Sequence, residues 1–77
     1  MSTRRSEQAR KKLGNAFRAR REALDLSQEH LAELADVHRN YIGKIERGEQ
    51  NITIDKLRDI CQALKCKPSD LLRDAGL

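Results

Sequence analysis

The chain has 77 residues and a formal net charge of +4, a length that suits one small domain. A core of this size is marginal, so the chain must pack its elements efficiently or associate with another copy. The single proline and the few β-branched runs favour an all-α fold, and with only Phe17 and Tyr41 as aromatic residues we expect no stacking platform for single-stranded nucleic acid.

Positive charge is concentrated at the N-terminal end. Residues 1–21 contain eight Lys and Arg residues against Glu7 alone, a net charge of +7, and the remainder carries −3. A basic end suits a polyanionic partner, although any single Lys or Arg is equally compatible with a solvated helix face. We expect residues 1–8 to be a basic segment, frayed or disordered because it has little to bury, and residues 9–77 to form the domain.

The first predicted helix runs from about Ser6 to Leu24. Its apolar residues recur at helical spacing, and they are Leu13, Ala16, Phe17, Ala23 and Leu24. Arg20 interrupts this stripe, and its aliphatic stem can lie along the edge of the core while the guanidinium reaches water.

Residues 26–48, LSQEHLAELADVHRNYIGKIERG, indicate two short helices joined by a tight turn. Ser27 is a good N-cap for the first, and Asp36 tolerates the left-handed backbone that the turn requires. The first of these helices has one apolar face, formed by Leu31, Leu34 and Ala35. The second runs from about Arg39 to Arg47 with Gly48 as its C-cap. This layout is typical of a helix-turn-helix, which places one helix in the DNA major groove.

Two more helices are predicted after the loop that follows Gly48. Thr53 is the N-cap of the fourth helix, and Pro68 suits the first turn of a short fifth helix, to which Leu71 and Leu72 add apolar contacts. The buried face of the fourth helix is predicted to contain Ile54, Leu57, Ile60, Cys61 and Leu64. We therefore expect a compact all-α domain of five helices.

Cys61 and Cys66 are too few for a disulfide framework, and their spacing is poor for a zinc site. We expect buried or half-buried free thiols, no metal and no cofactor. The N-terminus lacks the apolar segment of a signal peptide, and no run is long enough to span a membrane. These features fit a cytoplasmic protein.

The segment from Leu26 to Gly48 resembles the helix-turn-helix of the Cro/repressor-type (XRE-like) family, and the resemblance covers about Leu13 to Leu72. The string YIGKIERGEQNIT is similar to that of members that serve as controller proteins of restriction-modification systems. The shared positions are Gln28, Leu31, Ala32, Ala35, Val37, Ile42, Ile45, Glu46, Arg47 and Gly48. Two positions depart from the family pattern. Asp36 stands where glycine is usual, and Gly43 stands where serine or a longer residue is more frequent, which removes one possible DNA contact.

The residues expected to face the base edges lie at the start and along the outer face of the second helix of the motif: His38, Arg39, Asn40, Tyr41, Gly43 and Lys44. Arg39 can hold guanine O6 and N7 with its planar fork, and Asn40 can pair with adenine or bond a phosphate. Lys44 can reach a guanine or the backbone. Tyr41 is equally compatible with DNA contact and surface packing, and His38 with a cap or a backbone contact.

The expected phosphate contacts come from Ser27 and Gln28 at the start of the first helix of the motif, and from Asn51 in the loop after the second. The resemblance adds Arg21. In similar proteins the matching arginine pairs with the residue at Glu46 and is presented to phosphate.

A single helix-turn-helix reads few base pairs, so such proteins usually bind as twofold dimers on half-sites about one helical turn apart. We expect a homodimer through the fourth and fifth helices, with Ile52, Ile54, Leu71 and Leu72 at the interface.

Two other classes of function are a protein-interaction module and an enzyme. Some members of this fold work as antitoxins or bind partner proteins through the same helices. An enzyme is not expected, because the sequence has no Ser/His/Asp set, no Gly-rich phosphate loop and no metal cluster. No small-molecule effector is expected either, because no second domain is present to hold one.

Overall fold

The computed structural model describes residues 3–77, and this part of the chain forms five helices. They are α1 (Arg4–Ala23), α2 (Gln28–Ala35), α3 (Arg39–Glu46), α4 (Ile54–Ala63) and α5 (Pro68–Asp74). The all-α fold class and the assignment of the helix-turn-helix to the second and third helices are confirmed. No helix among these residues is both long enough and apolar enough to cross a lipid bilayer.

Short polar side chains start most of the helices. Thr3, Ser27 and Thr53 each accept a hydrogen bond from the backbone N–H three residues later, and these bonds satisfy donors that a helix leaves unpaired at its start. The predicted caps at Ser27 and Thr53 are therefore confirmed. Pro68 is the first residue of α5, and the carboxylate of Asp70 accepts from the backbone N–H of Lys67.

A residue in the left-handed conformation, with φ between 56° and 76°, follows the end of each of these five helices by one or two positions: Asp25, Asp36, Gly48, Lys65 and Gly76. In every case the following N–H donates to the carbonyl five residues earlier, as in the pair Glu49 and Lys44 at 2.8 Å. The left-handed turn predicted at Asp36 is confirmed, whereas Gly48, the predicted C-cap of α3, lies one residue after the observed C-cap, Arg47. The same turn at Lys65 could not be predicted from the sequence, because lysine has no particular preference for the left-handed conformation.

Helix α1 begins two residues earlier than expected. Thr3 caps it through a 3.1 Å bond to the N–H of Ser6, so the helix forms although its first residues are exposed. The expected boundary between residues 8 and 9 falls inside this continuous helix, and the frayed segment expected for residues 1–8 is helical from Arg4 onward. Met1 and Ser2 lie outside the described residues.

One apolar core joins all five helices, and its largest fully buried side chains are Phe17, Leu31, Ile42, Ile60, Leu71 and Cys61. The prediction that Cys61 and Cys66 are buried or half-buried free thiols is confirmed. The predicted buried faces are wrong at Leu34 and Ile54, which are 54% and 69% exposed. They are also wrong at Ala23 and Leu24 at the C-terminal end of α1, which are exposed. All four lie at the margin of an apolar stripe, where the position of the neighbouring helix decides burial.

Gly14 sets the distance between α1 and α3. A Cβ atom at this position would collide with the backbone carbonyl oxygen of Ile45 and would lie 2.7 Å from that of Glu46. The two backbones therefore approach more closely than any side chain at residue 14 would permit. This contact fixes the end of α3 against the middle of α1.

Candidate nucleic-acid interface

Three of the predicted base-reading residues, Arg39, Asn40 and Lys44, line one groove on the outer face of α3. His38, Arg39, Asn40 and Lys44 are exposed, and Tyr41 is half-buried. The left-handed turn at Asp36 ends α2 and lets α3 start only three residues later. The helix-turn-helix thus holds its second helix with the polar face outward and Ile42 and Ile45 in the core.

The Arg39 side chain is 65% exposed. Its Nη1 lies 3.8 Å from Oε2 of Glu29, which is as exposed as Arg39 itself. A pair of this length between solvated groups contributes little stability. The planar donor fork is therefore available to a partner outside the protein.

His38 and Tyr41 are each held by one local interaction. His38 caps α3, because its Nδ1 accepts from the N–H of Asn40 at 3.0 Å, and this leaves Nε2 as the outward-facing donor. The Tyr41 ring packs against the edge of the core, and burial raises the pKa of its hydroxyl. The phenol is therefore a neutral donor at the edge of the exposed face.

A buried carboxylate, Glu46, lies at the end of α3 and connects three elements. Arg21 of α1 donates to both of its oxygens, at 2.7 and 3.0 Å, and Gln28 of α2 donates Nε2–H at 2.9 Å. Arg18 adds a longer bond of 3.4 Å. Burial alone raises the pKa of Glu46, but the bonds from Arg21, Gln28 and Arg18 outweigh it and hold that pKa below its usual value.

The pairing of Arg21 with Glu46 is as expected, and the pair is largely buried. The Arg21 side chain is 13% exposed, and its Nη1 also donates to the carbonyl of Leu26 at 2.8 Å. Three of its five N–H groups are thus bonded within the protein, and two remain. Arg21 joins the start of the helix-turn-helix to the end of α3.

The predicted phosphate-binding side chains at the start of α2 each make one hydrogen bond within the protein and have a further N–H or O–H donor available to a ligand. Ser27 accepts from the N–H of His30 and keeps its hydroxyl proton, and Gln28 keeps its second amide hydrogen. Both lie at the start of α2. Asn51 lies apart from them, near the N-terminal half of α1, where its Oδ1 accepts from Arg10 at 3.3 Å.

A groove between the start of α2 and the outer face of α3 brings most of these residues together. It is lined by Arg21, Ser27, Gln28, Glu29, Arg39, Asn40, Gly43, Lys44 and Arg47. Gly43 was expected on the exposed face and is buried instead, because side chains from both sides lie over it. Arg47 was not among the expected contacts, although its spacing of four residues from Gly43 places it on the same helix face.

The predicted dimer surface is only partly available. Ile54 is exposed, and Ile52 and Leu72 are half-buried. Leu71 is fully buried in the core of its own chain, so its inclusion in the dimer surface was wrong. Leu71 lies on the face of α5 that packs in the core, and the neighbouring Leu72 lies on the adjacent face, where it is half-buried.

The sequence is similar to those of known helix-turn-helix proteins. A family model described as helix-turn-helix (HTH_3) matches residues 17–71. Control protein C.SmaI of Serratia marcescens is 42% identical over 65 residues, 84% of this chain and 77% of that protein.

Crystal structures of other regulators share the fold. The clp gene regulator ClgR of Corynebacterium glutamicum superimposes with a TM-score of 0.86 at 31% identity, over 88% of this chain and 87% of that one. The restriction-modification controller protein C.AhdI of Aeromonas hydrophila does so with a TM-score of 0.79 at 37% identity, over 80% and 94%.

Proposed function

The chain belongs to the helix-turn-helix family, as its likeness to XRE-like members predicted, and on that premise we propose that it is a sequence-specific transcriptional regulator that binds double-stranded DNA as a homodimer on a palindromic operator. Its relatives include a control protein and a gene regulator, which agrees with the prediction that the chain is not an enzyme. We further propose that it acts in the cytoplasm and belongs to the controller class to which C.AhdI is assigned.

The observation that carries this proposal is the exposed polar face of α3, whose opposite face packs in the core and whose end is bonded to α1 and α2 through Glu46. The major groove admits one α-helix, and residues at its N-terminal end reach the base edges. Arg39, Asn40 and Lys44 present guanidinium, amide and ammonium groups there. Arg39 would hold a guanine through O6 and N7, and Asn40 an adenine through N6 and N7.

Phosphate contacts on either side of the groove would fix the register of this helix. The start of α2 presents unpaired backbone N–H groups together with the side chains of Ser27 and Gln28. Arg21 would add its two remaining N–H groups from within the groove. Asn51 would contact the backbone from the loop after α3. These contacts position the protein but carry no base sequence.

A dimer would supply the length of recognition site that one helix-turn-helix lacks. Ile54 is 69% exposed at the first residue of α4, and Ile52 and Leu72 are half-buried. A second copy that covered these residues would remove apolar surface from water. Twofold symmetry would then place two α3 helices on half-sites about 34 Å apart.

Selection of binding sites from random duplex DNA with the purified chain tests this function. We expect a palindromic consensus with half-site centres about 10 base pairs apart. An absence of any enriched sequence, with binding that disappears at physiological salt, would indicate charge attraction alone and would contradict the proposal.

A further inference from the structure

The space above Gly43 is occupied by another side chain. A Cβ atom at Gly43 would lie 3.1 Å from Nη1 of Arg47 and 3.7 Å from Oε1 of Gln28. Side chains on a helix point back towards its N-terminus, so Arg47 extends over the residue one turn earlier. The guanidinium of Arg47 thus fills the position that a side chain at residue 43 would take.

One hydrogen bond, from its Nε, holds the Arg47 side chain in this position. Its Nε donates to Oε2 of Glu49 at 3.1 Å, and both side chains are about half exposed. This bond uses the Nε–H and leaves the terminal Nη groups over Gly43. Those groups lie in the groove that also contains Arg39 and Asn40.

We propose that Arg47 reads a base pair in the major groove, and that Gly43 is the residue that admits its guanidinium to the base-facing surface. This inference rests on the proposed DNA-binding function. The base class that suits a terminal guanidinium is guanine, through O6 and N7. The contact that a longer residue at position 43 would make is supplied instead from one turn further along α3.

The position of the guanidinium favours a base contact over a phosphate contact. Residue 43 lies one turn after Arg39 and next to Lys44, in the middle of the face that the proposed function presents to the bases. A side chain that extended away from α3 would instead address the phosphate backbone. The contact over Gly43 turns Arg47 inward.

The test compares the wild-type chain with Arg47→Lys, Arg47→Ala, Gly43→Ala and Arg58→Ala. Each is titrated against the duplex selected by the wild-type chain and against all its single-base-pair variants. Arg58 is an exposed arginine on α4, in a different groove beside Asp55 and Asp59, and is the matched control.

We expect Arg47→Ala to lose discrimination at one base pair of each half-site by about 5- to 150-fold, the range for one good bidentate pair. Arg47→Lys keeps the charge but lacks the planar fork, so it loses the same discrimination and keeps the salt dependence. Gly43→Ala displaces the guanidinium and relaxes the same base pair. It should leave the unfolding temperature unchanged or raise it, because alanine favours a helix more than glycine does and the displaced atom is the mobile end of Arg47.

The variant with both changes should discriminate no worse than Arg47→Ala alone, because both act through one contact. Arg58→Ala should leave discrimination unchanged. If Arg47→Ala weakens all duplexes equally, or if Gly43→Ala relaxes a different base pair, the inference is wrong although the proposed function stands. If the wild-type chain itself shows no preference among duplexes, the proposed function fails and this inference fails with it.

Discussion

Arg21 and Glu46 are joined by two hydrogen bonds, of 2.7 and 3.0 Å, which link the longest helix of the fold to the end of the helix that presents its polar face to solvent. The carboxylate is fully buried, and Gln28 and Arg18 also donate to it. The hydrogen bonds of this ion pair have preferred angles, whereas the hydrophobic effect has no direction. The orientation of α3 therefore depends on Glu46 as well as on the core.

Removal of the Glu46 carboxylate should destabilise the domain strongly. In Glu46→Ala the buried guanidinium of Arg21 loses its partner, and we expect a loss of about 3–5 kcal/mol in the free energy of unfolding. Denaturation with urea measures this. Asp74→Ala is the control, because it removes the partner of Arg20 on α1 in a pair that is far more exposed, and it should have a far smaller effect. Equal effects of the two changes would contradict the role given to Glu46.

The same carboxylate should make stability depend on acid pH. The pKa of Glu46 is lowered in the folded chain, so its contribution is present above the ordinary value of 4.5 and is lost as the pH falls through the lowered pKa. We expect the difference in urea midpoint between the wild-type chain and Glu46→Gln to be constant near neutral pH. It should shrink below about pH 4.5. A difference that grew in acid would mean that the folded state raises this pKa.

Gly14→Ala should destabilise the domain although alanine is the better helix former. The new Cβ would meet the carbonyl oxygens of Ile45 and Glu46, which belong to the backbone and cannot turn aside. We expect a loss of about 3 kcal/mol in the free energy of unfolding. Gly43→Ala is the matched control on α3, where the obstructing atom is the mobile end of Arg47, and it should be neutral or stabilising. The melting temperatures of the two variants measure this, and a melting temperature of Gly14→Ala that is not lowered would contradict the prediction.

Ile54→Asp should weaken the proposed dimer and leave the fold intact. Ile54 is exposed and begins α4, where a negative charge is favoured by the helix dipole. Sedimentation velocity at tens of micromolar should show a dimer for the wild-type chain and a monomer for the variant. Leu34→Asp is the control, because Leu34 of α2 is another exposed aliphatic residue and lies beside the C-terminal end of α4. A dimer that survived Ile54→Asp but not Leu34→Asp would place the interface elsewhere.

Local chemistry made most of the fold predictable from the sequence. Ser27 and Thr53 start helices, and Asp36 and Gly48 end them, through bonds between residues three to five apart. These signals depend only on neighbouring residues, so they can be read without knowledge of the tertiary packing.

The parts that could not be predicted depend on contacts between distant residues. The requirement for glycine at residue 14 arises from the backbone of α3, about thirty residues later. The burial of Glu46 and Leu71 and the exposure of Leu34 depend on where helices cross. The position of Arg47 over Gly43 depends on a side-chain direction that the spacing alone permits but does not fix.

The central claim is that the exposed face of α3 reads DNA sequence, and affinity measurements on Arg39→Ala test it most directly. Fluorescence anisotropy would give the affinity of the wild-type chain and of this variant for the selected duplex and for a scrambled duplex of equal length. We predict that Arg39→Ala loses affinity for the selected duplex by about 1–3 kcal/mol per base contact and keeps most of its affinity for the scrambled one, so that specificity relaxes at one base. Equal loss on both duplexes would show that Arg39 contacts only the phosphate backbone, and would contradict the account.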